Sequence, residues 1–129
     1  MLPTVDTKFL EERGLRHSVQ VDGGMICVLL PDWKVPAGYQ QDQTDLLLRL
    51  SQGYPDVPPD MWWCSPALVL TNGSQPQATE VTEHHLGRSW QRWSRHFNNP
   101  GIWRPGIDSL ESYLARIRGE MLRSAGRAA

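Results

Sequence analysis

Three histidines and three arginines crowd one short stretch of this chain: His84, His85, Arg88, Arg92, Arg95 and His96. Imidazole titrates near neutral pH, so His85 and His96 are candidate acid/base groups. Arg92 and Arg95 are candidate donors to a developing oxyanion. An ester or direct aminolysis route needs only such a base and such a donor. The histidines could instead ligate a metal, but no Cys-x-x-Cys or His-Glu-x-x-His spacing points to one. Neither a metal nor another cofactor is expected. Arginines beside tryptophans can also hold single-stranded nucleic acid by stacking. Against that, 13 basic and 14 acidic side chains leave a net charge of -1, too balanced for a protein that mainly neutralises phosphates. Cys27 and Cys64 each sit in an apolar, strand-like run, where a buried free thiol is the default.

These residues need elements to position them. From Thr82, with Glu83 in the first turn, the pattern predicts a helix. Leu86, Trp90, Trp93 and Phe97 would form its apolar stripe. His85, Ser89, Arg92 and His96 would line the neighbouring polar edge, and Asn98-Asn99-Pro100-Gly101 would end it. A C-terminal helix follows, with Leu110, Leu114, Ile117 and Met121 as its stripe. Asp108 and Glu111 are spaced as a capping pair, and Arg116, Arg118 and Arg123 complement the helix dipole at the far end. Residues 124–129 are expected to fray. Upstream, Asp6 would cap a short helix through Glu12, with Gly14 as its stop.

Residues 17–21 alternate as a strand, and Asp22-Gly23-Gly24 supplies a hairpin turn. Residues 25–30 form a second strand, covered on both faces and ended by Pro31. Strands at 44–50 and 61–69 follow, then a Thr71-Asn72-Gly73-Ser74 turn and a weak strand or loop over 75–81. Strands in one run and helices in another predict an α+β fold: an N-terminal helix, a four-stranded antiparallel meander and C-terminal helices. The 129 residues fit a single domain, 1–129. No apolar run reaches the ~18 residues of a membrane span. Free thiols and the absence of a basic-then-apolar leader pattern predict a cytoplasmic protein.

Two segments carry a family resemblance. Tyr54-Pro55-Asp56-Val57-Pro58-Pro59, followed by Trp62 and Trp63, is similar to the proline turn and fourth strand of ubiquitin-conjugating enzymes. Trp103-Arg104-Pro105, followed by a helix, is similar to that family's Trp-Ser-Pro step. Trp103 lies 18 positions after His85, the family's interval from its His-Pro-Asn histidine to that tryptophan. On this alignment Gly87 stands at the asparagine's place and Arg95 at the catalytic cysteine's. Arginine cannot carry a thioester, because the chemistry needs a thiolate that is both nucleophile and leaving group. The alignment also needs more residues between the proline turn and His85 than the family usually has.

The stretch from Ala78 through His96 most resembles a bacterial branch of the superfamily, prokaryotic family E. That resemblance implies a ubiquitin-conjugating-like protein without a catalytic cysteine. It implies two partners, a ubiquitin-like protein and its activating enzyme, and a role beside a metal-dependent deconjugating peptidase. It further implies a link to mobile elements and antiphage defence. If the chain is an enzyme, it would transfer a ubiquitin-like protein without a cysteine thioester, through His85, His96, Arg92 and Arg95. The alternatives are a non-catalytic adaptor for the ubiquitin-like protein or its activating enzyme, and a histidine-based metal-dependent hydrolase.

Overall fold

The computed structural model of the chain describes residues 2–96 and 102–128. Phe97 and the Asn98-Asn99-Pro100-Gly101 break lie outside them. Helix α1 spans Thr4–Glu12. Strands β1 (Ser18–Asp22), β2 (Met25–Lys34), β3 (Gln43–Leu50) and β4 (Trp62–Ser65) follow, then β5 (Thr82–His85), β6 (Arg88–Trp93) and helix α2 (Leu110–Ala128). The α+β class holds. The sheet, however, has six strands rather than four, in the order β1-β2-β3-β4-β6-β5. Every pairing in it is antiparallel.

The largest correction concerns residues 82–93, which form a hairpin and not a helix. Leu86 and Gly87 both take positive φ, 54° and 74°, the twist a two-residue hairpin turn requires. Leucine rarely adopts that conformation, so the turn carries a weak signature. The apparent helical stripe dissolves accordingly. Trp93 enters the main core, while Trp90 joins a second cluster with Cys27, Leu47 and Trp63 on the other face of the sheet.

Other boundaries shift for local reasons. β2 runs on through Pro31 by means of a bulge, since the register steps from Leu30↔Leu46 to Trp33↔Thr44. β4 stops at Ser65 because Pro66 has no N–H for the ladder. Residues 75–81 are loop. The other expected strands stand, and Gly23 and Gly24 make the first hairpin turn at φ 58° and 77°. β2 is covered on both faces as expected, by Ile26, Val28 and Leu30 on one side and Cys27 on the other.

The helices are capped differently from the sequence reading. Asp6 does not cap α1, whose N-cap is Pro3 with no side-chain bond. Instead Asp6, only 1% exposed, reaches across to α2. Its Oδ1 accepts the Leu110 N–H at 2.9 Å, and its Oδ2 accepts the Tyr54 hydroxyl at 2.7 Å. Asp108 does not pair with Glu111. It accepts the Arg104 N–H at 2.7 Å, while Glu111 meets Arg13 at 2.9 Å. Leu110, Leu114, Ile117 and Met121 are all buried, as their spacing predicts. The helix does not fray at 124: Ser124 is buried and bonded to Arg95, and α2 continues to Ala128.

Both helices pack on one face of the sheet, over Val28, Leu30, Leu46, Leu48 and Trp62. Trp62 stacks on Trp93 with centroids 5.7 Å apart and meets Tyr113 of α2 edge-on. Among the described residues no helix is long and apolar enough to cross a membrane.

Candidate functional site

The two landmark segments meet. The Trp103 indole N–H donates to the Pro55 carbonyl at 2.8 Å, and its ring lies 6.0 Å from that of Tyr54. The Tyr113 hydroxyl of α2 donates to the Met61 carbonyl at 2.7 Å. Arg116 donates to the Ile102 carbonyl. The proline turn, the tryptophan corner and the start of α2 thus form one joint, closed from below by Asp6. The backbone N–H of Arg104 holds the Asp108 carboxyl below its ordinary value, with help from Ser112, Arg116 and Arg104 side chains against the opposing effect of burial. Burial and the Asp6 hydrogen bond push the Tyr54 hydroxyl well above its ordinary range.

The structure divides the four sequence-predicted site residues among three places. His85 and Arg92 share the outer face of the sheet, where both bind Glu83. Glu83 Oε1 sits 2.9 Å from His85 Nε2 and accepts the Trp63 indole N–H at 2.9 Å. Its Oε2 accepts Arg92 at 2.8 Å. Desolvation alone would raise the Glu83 carboxyl, but the bonds from His85, Trp63 and Arg92 outweigh it and hold the group below its ordinary value. His85 also stands edge-on to Trp63, 5.6 Å between centroids.

Arg95 lies on the opposite, helix-bearing side. It donates to Glu120 at 3.1 Å and to Ser124 at 3.0 Å, with its guanidinium 5.0 Å from the Trp93 ring centre. His96 pairs with Asp60 of the proline turn at 2.7 Å, both half exposed. His85 and His96 therefore do not share a cluster. Nor does His85 stand beside Trp103, which packs between the sheet and α2. The alignment of His85 with the family's motif histidine, built on an 18-residue interval, has no counterpart in space: the hairpin takes up the interval.

Glu83 is the residue the sequence reading missed. On a strand, Glu83 and His85 point to one face, because side chains alternate. The helix reading gave Glu83 only a place in the first turn. In the tautomer with its proton on Nε2, His85 donates to Glu83, and a carboxylate so placed fixes the orientation of the ring.

Thioester chemistry lacks a reachable thiol. Cys64 is 0% exposed and Cys27 1%. Complete burial drives the Cys64 thiol far above its ordinary value, which disfavours the thiolate. Among the described residues no three His, Cys, Asp or Glu side chains gather as a metal-binding set.

Comparison with known proteins is consistent with the fold. No curated protein and no solved structure is detectably similar to the chain. The family described as prokaryotic E2 family E matches residues 2–124, nearly the whole length. The chain belongs to prokaryotic E2 family E, a bacterial branch of the ubiquitin-conjugating-enzyme-like proteins.

Proposed function

We propose that this chain serves a bacterial ubiquitin-like protein conjugation pathway as a binding component that carries no thioester. The observation that supports this reading is the burial of both thiols in a chain that keeps the family's proline turn and tryptophan corner intact. A scaffold that retains its joint without a reachable nucleophile is suited to hold a partner. The partners are a ubiquitin-like protein or its activating enzyme, and the setting is the cytoplasm of a bacterium, in defence against phage. Purified chain should bind one of these proteins in calorimetry. A His85→Ala, His96→Ala double variant should bind as the parent does. Loss of binding in that variant would refute the reading.

A second reading is favoured by one contact, the Glu83-held imidazole of His85. In it, His85 acts as base for transfer to a hydroxyl. Its signature is an adduct with the ubiquitin-like protein that survives thiols and yields to mild base, and that a His85→Ala variant cannot form.

A further inference from the structure

The bulge in β2 builds a cleft remote from the outer-face cluster. Asp32 occupies it at φ 54°, a backbone state that side-chain-bearing residues rarely take, and its N–H is anchored by Asp45 Oδ1 at 2.9 Å. Bulges re-aim the residues that follow them. Here Trp33 turns toward the helices and is 6% exposed. Arg118 of α2 lies over its ring, 4.5 Å from the centre, and donates to the Lys34 carbonyl at 2.9 Å. On either side of this wall open two cavities of about 240 and about 340 Å³ that share Leu15, Trp33 and Arg118.

The floor of the cleft is apolar, with Phe9, Leu15 and Leu114, and its rim is basic. Arg13, Arg16, Lys34 and Arg118 face only Asp32 and Glu111, so 4 − 2 gives +2 on a chain whose net charge is -1. Arg13 is matched by Glu111 at 2.9 Å and Arg16 by Asp32 at 2.7 Å. Lys34 and Arg118 have no carboxylate partner among the described residues. The two surplus cations therefore flank an apolar floor.

We propose that this cleft docks an acidic segment of a protein partner, with an apolar side chain in each cavity and carboxylates on Lys34 and Arg118. A small anion would use the cations and leave the apolar floor wet. An acidic peptide covers both, and complementary charge would speed and orient its arrival. The inference stands apart from the conjugation role, and its failure would leave that role untouched.

The probe is a short fluorescein-labelled peptide of alternating glutamate and leucine, with a lysine-leucine peptide as control. The acidic peptide should bind saturably, weaken as salt rises and shift the Trp33 indole N–H signal in NMR. Lys34→Glu and, separately, Arg118→Gln should each weaken it about tenfold. Arg123→Gln, which alters a cation on Glu120 instead, should leave it unchanged. The proposal is overturned by no saturation at millimolar peptide, by equal affinity for both peptides, or by indifference to Lys34→Glu. Displacement by inorganic phosphate at equal concentration would mark a small-anion site and also overturn it.

Discussion

Replacing Asp6 with alanine should loosen the joint on which the family features depend. The Asp6 carboxylate is almost wholly buried and takes two hydrogen bonds, from the Leu110 N–H and the Tyr54 hydroxyl. Each bond to a charged group contributes about 1.5–3 kcal/mol. Removing the acceptor also leaves the Leu110 N–H, at the first turn of α2, buried without a partner, and that desolvation cost is about 1–3 kcal/mol. The effects overlap, so Asp6→Ala should cost about 4 kcal/mol. Against a usual total of roughly 5–15 kcal/mol, that is a large fraction of the stability.

Asp6→Asn keeps an oxygen for Leu110 and an amide for the Tyr54 oxygen. It should therefore cost only about 1–2 kcal/mol. Urea denaturation followed by tryptophan fluorescence measures both, and the midpoint should fall while the slope stays constant. A cost below about 1 kcal/mol for Asp6→Ala would refute the reasoning, because a well-packed carboxylate with two buried donors cannot be removed so cheaply.

Further outcomes follow from other contacts. Trp103→Phe keeps the ring contacts with Tyr54 and Tyr113 but loses the bond to the Pro55 carbonyl, so thermal unfolding should show a cost of about 1 kcal/mol. Gly87→Ala meets no atom within 4 Å, yet holding alanine at φ 74° should cost about 1–2 kcal/mol, read by urea denaturation. Glu83, Asp108 and Glu120 are all held below their ordinary values. Through the acid window the unfolded chain binds more protons, so stability rises with pH. It should be fully present above the unfolded values, about 3.9 for aspartate and 4.3 for glutamate, and decline as pH falls through the lower folded values. Melting temperature against pH checks this, and Glu83→Gln should flatten part of the slope.

The C-terminal helix was legible because its four apolar positions have one consistent period, and all four are buried. The first hairpin was legible because two glycines sit where positive φ is needed. The second hairpin hid its turn behind Leu86. Its tryptophans also fall three apart, at 90 and 93, which mimics a helix when one ring goes to each face of the sheet. That misreading put His85 and His96 on one edge, whereas His85 pairs with Glu83 and His96 with Asp60. Asp6 was invisible in its true role because its partners lie 48 and 104 positions away. The absence of a cysteine after Cys64 was legible at once. The burial of Cys64 was legible from its apolar run, and in β4 it lies between β3 and β6.

The central claim, a family scaffold that works without a thioester, is tested by incubating the chain with its ubiquitin-like protein, activating enzyme and ATP. Non-reducing electrophoresis should then show no thiol-sensitive adduct on the chain, and a Cys27→Ala, Cys64→Ala double variant should bind the partner as the parent does. A reductant-labile conjugate that disappears in Cys64→Ala would contradict the account.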